Sequence, residues 1–283
     1  MLRRSRVHRF HNEVPLISKS SERSMADAIG LAPEQITFEL GNSTYPNAPS
    51  QGGSATINTV GPAVVAACTG LKEQLIVLAS ISLPEFRGAK PDQVEFSNGT
   101  MKLKGKNSKI TFKDAFQKSG TPHLEATKSA RPGDEGKGYS KYSYSVHFAE
   151  VHVHEVTGVV RVKKMVTCAD AGIIINLKTA GNQMIGGVTG GIGMALMEDA
   201  VMDHRYGRYI TKDFADYHVP VHADVPKIEV HFVNKPDYIV DPIGTKGIGE
   251  IAIIGVAPAI TNAIFNATGK RIRQLPVTLD KLL

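Results

Sequence analysis

Residues 142–168 read YSYSVHFAEVHVHEVTGVVRVKKMVTC. Tyr142–Val153 and Val159–Cys168 each alternate apolar with polar residues, the period of a strand with one buried face. Between them Glu155-Val156-Thr157-Gly158 supplies a glycine-containing turn, so the stretch predicts a β-hairpin. Downstream, Asn176–Met197 reads as a helix rich in glycine on one side. Tyr209–Thr211 and Ile228–Val233 read as short strands, and the glycine-rich loop Asp241–Gly249 leads to a helix over Ala257–Ala267, with Pro258 suited to its first turn.

Upstream, Met25–Gly30 reads as a helix end closed by Gly30, Gln35–Leu40 as a strand and Gly41–Gly53 as a loop. Ile57–Ser80 predicts a long helix with Ala63, Val64, Ala67, Leu71, Leu75 and Leu78 along one side. Val94–Phe96 and Met101–Leu103 flank Asn98-Gly99, a good two-residue hairpin turn. Thr111–Gln117 reads as a short helix and Arg131–Gly138 as a surface loop. Helices alternate irregularly with antiparallel hairpins. The expected class is therefore α+β, with mixed and antiparallel sheets and packed helices, rather than a doubly wound parallel sheet.

The chain has 283 residues, enough for one large or two ordinary domains with a real core. Its net charge of +6 is uneven: residues 1–24 hold six basic against two acidic residues, a net +4. The remainder is nearly neutral, and with no Trp and 6% aromatic residues it offers neither a basic stripe nor stacking platforms. Nucleic-acid binding is not expected. No uninterrupted apolar run reaches the roughly 18 residues of a membrane span; Ile251–Ile264 is broken by Gly255 and Pro258. The N-terminal stretch lacks the apolar core of a secretory signal and reads as a disordered lead-in. The expected location is cytoplasmic, or periplasmic if the chain assembles with an exported partner. Cys68 and Cys168 lie far apart in apolar surroundings and read as buried reduced thiols.

Four groups of residues carry chemistry. In Gly244-Thr245-Lys246-Gly247-Ile248-Gly249-Glu250, glycines allow close backbone approach to a ligand and precede a carboxylate set among Ile248, Ile251 and Ile253. Desolvation there would raise the carboxyl pKa and suit it to act as a base. A helix N-terminal carboxylate favoured by the dipole is the alternative. Gln183 lies within Gly181–Gly193, whose glycines imply packing against a ligand or another backbone. Gly187-x-x-x-Gly191-x-Gly193 mimics a dinucleotide fingerprint, but no parallel strand directly precedes it, so nicotinamide binding is not expected. Gln51-Gly52-Gly53-Ser54-Ala55-Thr56 places small residues before a long helix. It is either an anion or cofactor cradle or a flexible loop with Ser54 or Thr56 as N-cap. His147, His152 and His154 form the fourth group; His152 and His154 lie on one strand face and could chelate a metal, but an exposed strand face is the favoured reading.

Taken in order, these blocks resemble the molybdenum-binding subunit of the xanthine dehydrogenase/aldehyde oxidoreductase family. The resemblance covers about Met25 to Leu283. It rests on SQGGSATINTVGPAV at 50–64, HFAEVHVHEVTGVVRV at 147–162, AGNQMIGGVTGGIGMAL at 180–196, DYHVP at 216–220, GTKGIGE at 244–250 and ATGKRIRQLPVT at 267–278. It implies a molybdenum hydroxylase that oxidises aldehydes or N-heterocycles with water as the oxygen source. Glu250 would be the catalytic base for attack by Mo–OH, with hydride passing to Mo=S. Gln183 would hydrogen-bond a molybdenum oxo ligand. Gly52, Gly53, Ser54 and Ala55, with Gly247 and Gly249, would hold the molybdopterin, in its plain or cytosine dinucleotide form. No side chain is expected to ligate the metal. Iron–sulfur and FAD partner subunits would carry the electrons away.

Two departures bear on this reading. Family chains are far longer and begin with another molybdenum-binding region, and residues 1–24 do not resemble the family. The expected organisation is thus a non-family lead-in over 1–24 and a C-terminal molybdopterin-binding domain over 25–283, subdivided near 131–138. On that reading the chain is a truncated or frame-shifted C-terminal half, a fragment needing its N-terminal half to hold molybdopterin tightly. The competing readings are a non-catalytic remnant that binds partner subunits, and an unrelated metal module built on His152 and His154.

Overall fold

Residues 6–10, 24–40, 42, 45, 52–130, 134 and 136–283 are described in the computed structural model, 6–10 by backbone alone. The rest of the lead-in, and parts of the loops expected over 41–53 and 131–138, lie outside the described residues. The chain divides into two compact units, Met1–Tyr139 with Tyr238–Thr245 and Ser140–Asp237 with Lys246–Leu283.

The first unit is organised by one long helix, α2 (Thr56–Ser82), about 40 Å in length. Val60, Val64, Cys68, Leu75, Ile76 and Ala79 recur at helical spacing and are buried. They meet Met25 and Ile29 of a short helix α1 (24–29), Phe38 of strand β2 (Thr37–Leu40), and a three-stranded meander. Gly30 closes α1 at φ +73°, and β1 (Arg6–Phe10) pairs parallel with β2. The meander runs β3 (Val94–Ser97), β4 (Thr100–Leu103), β5 (Lys109–Thr111) and contributes Val94, Met101, Leu103 and Ile110. Its hairpin turns on Asn98 and Gly99, both at positive φ (48° and 68°), matching the right-handed strand twist. Thr111 caps α3 (Phe112–Ser119), its hydroxyl accepting from the Asp114 N–H at 3.0 Å.

The second unit is built on the expected hairpin, β6 (Tyr144–Val153) and β7 (Val160–Asp170). Strand β10 (Lys227–Phe232) lies parallel on the other edge of β7, giving the order β10-β7-β6 and a mixed sheet. A minimal hairpin, β8 (Met202–Asp203) and β9 (Arg208–Tyr209), replaces the strand expected at Tyr209–Thr211. Helices α4 (Leu177–Leu196), α5 (Ile251–Ile254) and α6 (Val256–Thr268) cover one face. Val188, Ile192, Val256, Ile260 and Ile264 pack with Val162 and Met165 of β7. On the other side of β6, Tyr144, Val146 and Phe148 stay 62%, 54% and 65% exposed, so this sheet has one dry and one open apolar face. Cys168, opposite Val146, is only partly buried, unlike Cys68. Its strand neighbours Thr167 and Ala169 take the covered face, and period two leaves Cys168 on the other. Burial pushes the Cys68 thiol up to about 11.

Two helical stretches, Thr56–Ser82 and Ile251–Thr268, are long and apolar enough to cross a membrane by length and composition, which the count of uninterrupted apolar residues misses. Each lays its buried residues into a core of its own unit.

Candidate functional site

Ala55, not Ser54 or Thr56, is the N-cap of α2, and its side chain makes no cap hydrogen bond. Gly53 and Ser54 turn the chain at φ +60° and +59°, and the Ala55 N–H reaches the Gly52 carbonyl at 3.2 Å. Among the described residues a Cβ at Gly52 or Gly53 would meet nothing within 4 Å. A helix start behind a glycine turn can accept an anion on its first-turn N–H groups.

In the second unit, Asn176 caps α4, its side-chain oxygen accepting from Lys178 N and Thr179 N at 3.1 and 3.2 Å. Gln183 is half-buried, one turn before Gly187 on the same face of α4. The α4 glycines divide into two sets. A Cβ at Gly187 would lie 2.5 Å from Ala252 Cβ and 3.1 Å from Ile253 N, and one at Gly191 would strike Val256. At Gly181 and Gly186 nothing lies within 4 Å. The first set therefore serves backbone approach between α4 and the α5–α6 segment, which puts Gln183 one turn from the start of α5.

Glu250 is the N-cap residue of α5, with no side-chain cap hydrogen bond. The expected desolvation is not found: Glu250 is exposed. Ile248 and Ile251 pack instead against Ala169, Met184 and Ala252. The isoleucines enter the core and leave the carboxylate between them outside it. Since α5 is four residues long, the helix-dipole alternative has little to act through.

The loop before Glu250 is tied down at several points. Lys246 N–H donates to the Ala171 carbonyl at 2.9 Å. Its ammonium, only 7% exposed, lies 3.2 Å from Asp170 and 3.7 Å from Asp237. Ser143 donates its hydroxyl to the Gly247 carbonyl at 2.5 Å, and Ser145 to the Ile251 carbonyl at 2.9 Å. His147 Nε2 is 3.0 Å from Ser145 Oγ. The single Ser145 proton is committed to Ile251, so His147 must donate from Nε2. His147 Nδ1 is buried without a hydrogen-bond partner. None of these anchors was assigned a role from sequence. A lone lysine in a glycine–isoleucine loop and serines alternating along a strand were the available signals.

Two expected outcomes follow. Lys246→Met leaves Asp170 and Asp237 without this cation. Both carboxylates are about one-third exposed (36% and 32%), so water recovers part of their solvation. The loss is expected near 2 kcal/mol, below the several kcal/mol of a fully buried pair, and urea unfolding measures it. For His147, burial lowers the imidazole pKa against a weaker raising hydrogen bond to Ile251. The unfolded ring takes a proton near its ordinary pKa of about 6.5, whereas the folded ring takes it only at lower pH. The unfolded state thus binds more protons in the window just below that value, and stability falls as pH falls through it. With the ring half-buried, a drop under about 1 kcal/mol is expected between about pH 7 and about pH 5.5. It should shrink in His147→Gln when urea midpoints are compared.

His152 and His154 are exposed, and no group of three or more His, Cys, Asp or Glu able to hold a metal occurs among the described residues. A cavity of about 390 Å³ lined by Val160, Leu196, His218, Pro276 and Val277, among others, includes neither Gln183 nor Glu250.

The profile of the molybdopterin cofactor-binding domain matches residues 20–226, well over half of the chain. The chain belongs to that family. Within it, the chain is 40% identical over 261 residues to the aldehyde oxidoreductase molybdenum-binding subunit PaoC of Escherichia coli (strain K12), covering 92% of this chain and 34% of that one. It is 32% identical over 259 residues to the aldehyde oxidoreductase of Megalodesulfovibrio gigas, covering 90% and 26%. A Cu,Mo-CO dehydrogenase structure superposes at TM-score 0.82 over 96% of this chain and 34% of that chain, at 23% identity, which speaks to fold alone. The aldehyde oxidoreductase of Desulfovibrio desulfuricans ATCC 27774 superposes at 0.67 with 27% identity, covering 94% and 27%. The molybdopterin-binding family, of the xanthine dehydrogenase/aldehyde oxidoreductase type, thus accounts for the α+β fold with its mixed and antiparallel sheets. The chain spans about a third of the length of the curated relatives it matches.

Proposed function

We propose that this chain supplies a general base and cofactor-holding backbone to a molybdenum hydroxylase that oxidises aldehydes or N-heterocycles with water as the oxygen source. The observation that carries the reading is Glu250 itself. It is an exposed carboxylate at the end of a loop anchored by Lys246, Ser143 and Ser145. A base must be reachable by the proton it takes and held still while it does so.

The residues present fit a molybdenum-pterin group in two respects. The 52–55 turn is open among the described residues and leads into the start of a long helix, which would suit the phosphate side of a pterin. Gln183 offers an amide donor from α4. When bound, the cofactor supplies oxygen transfer and two-electron redox chemistry. Everything else falls to the protein. In the first unit the 52–55 amides would bind and orient, and in the second Gly247 and Gly249 would permit close backbone approach. Gln183 donates a hydrogen bond. A Glu250 carboxylate oxygen accepts the proton of the attacking oxygen nucleophile. Electrons then pass to iron–sulfur and FAD partner subunits. The remaining length of the relatives, about two-thirds, is the natural source of the other cofactor contacts. The cytosine dinucleotide form and a cytoplasmic location belong to the same proposal.

A second reading, a chain that binds partners without turnover, is favoured by the open apolar row Tyr144, Val146 and Phe148. Molybdenum per chain and aldehyde turnover, measured on the chain purified with whatever co-purifies, decide between them. Near-stoichiometric molybdenum with turnover that depends on Glu250 supports the first. Co-purifying subunits without molybdenum would leave only the second.

A further inference from the structure

We propose that Ser143 and Ser145, with His147 behind them, are positioning residues that fix the Glu250 carboxylate by clamping the backbone on both sides of it. The inference rests on the reading of Glu250 as the base. Strand period two puts 143, 145 and 147 on one side of the β6 segment, and all three are half-buried. The two serine hydroxyls reach carbonyls four residues apart, Gly247 and Ile251, and Glu250 lies between those points. Gly247 and Gly249 give this segment more conformational freedom than any other residue type would. Without outside constraints the backbone that carries Glu250 would sample many positions.

The helix that follows cannot supply that constraint. It is four residues long, and the Gly255 N–H goes to the Ile253 carbonyl rather than to Ile251. The Ile251 carbonyl takes the Ser145 proton instead. His147 completes the arrangement, donating from Nε2 to Ser145 Oγ and so orienting the hydroxyl toward Ile251. Its ring lies so close to Gly255 that a Cβ there would strike it. Gly255, the residue between α5 and α6, is thus the one on which the imidazole sits. Burial lowers the pKa of that imidazole, and its buried Nδ1 has no hydrogen-bond partner among the described residues.

The test uses the assembled enzyme for kinetics and the full chain for amide exchange. Ser145→Ala is expected to lower kcat by about tenfold to a hundredfold with KM within about twofold, and Ser145→Thr to recover most of the loss because it keeps the hydroxyl. Exchange of the 247–252 amides in the full chain, without cofactor, should speed up about tenfold in Ser145→Ala. In the Glu250→Gln background, Ser145→Ala should lower the residual rate by less than about twofold. If Ser145→Ala does not fold, Ser143→Ala carries the same expectations. Unchanged kcat and unchanged exchange in a folded serine variant, with Glu250→Gln inactive, would overturn the positioning role and leave the base intact. A fully active Glu250→Gln would instead remove the base, and with it this inference. Equal losses from Ser145→Ala with and without Glu250 would show that the serine acts on something else.

Discussion

Glu250→Gln in the assembled enzyme is expected to lower kcat by about a thousandfold while molybdenum per chain and substrate KM stay near wild type. A positioned general base contributes on the order of a hundred- to ten-thousandfold, and glutamine keeps the shape while losing the proton acceptor. Glu250 is exposed, and glutamine keeps its shape and one acceptor oxygen, so stability should shift by less than about 1 kcal/mol. The isoleucine packing of Ile248 and Ile251 is untouched, which keeps the loop in place. Steady-state turnover beside elemental analysis reads both effects. A variant retaining more than about a tenth of wild-type kcat would mean that another group takes the proton.

The second large effect concerns α4. Gly187→Ala should cost about 2–3 kcal/mol, whereas Gly186→Ala, one residue away, should stabilise by about 0.5–1 kcal/mol. Both changes gain the same helix propensity. At Gly186 nothing lies within 4 Å, so that gain stands alone. At Gly187 the new methyl would meet Ala252 Cβ at 2.5 Å and the Ile253 backbone nitrogen at 3.1 Å, and backbone cannot swing aside like a long side chain. Helices α4 and α5 must separate, loosening the packing on which Gln183 and Glu250 both depend. Chemical denaturation of the two variants should give shifts of opposite sign. Equal signs would mean that α4 and α5 do not pack as described.

Periodicity made much of this fold legible. The β6–β7 hairpin, α2, α4 and the Asn98-Gly99 turn each repeat a local pattern that only one element satisfies. The site was legible as motifs but not as an environment. Glu250 reads as buried because isoleucines surround it in sequence. Whether they surround it in space depends on Ala169 and Met184, which arrive from other elements. The clamps on its loop come from serines 104 and 106 residues upstream, a separation at which no local pattern carries information. The close approach of the His147 imidazole to Gly255, between α5 and α6, was hidden for the same reason. Cys168 was misread because an apolar neighbourhood in sequence alternates across a sheet, and only one side of this one is covered.

The return of Tyr238–Thr245 to the first unit has a consequence for biosynthesis. Ile243 in that segment seats against Gly61 of α2, and the Asp241 carboxylate organises the turn by accepting from Ile243 N and the Thr245 hydroxyl. About a hundred residues separate this piece from the rest of its unit. At usual translation rates of about 5–20 residues per second, the first unit waits roughly 5–20 s for its last piece. The second unit waits in turn for Lys246 onward. The first unit is not complete on the ribosome until Thr245 has emerged, after most of the second, so the two units cannot fold one after the other in chain order. A cut at the Tyr139–Ser140 boundary would yield two incomplete pieces rather than two domains.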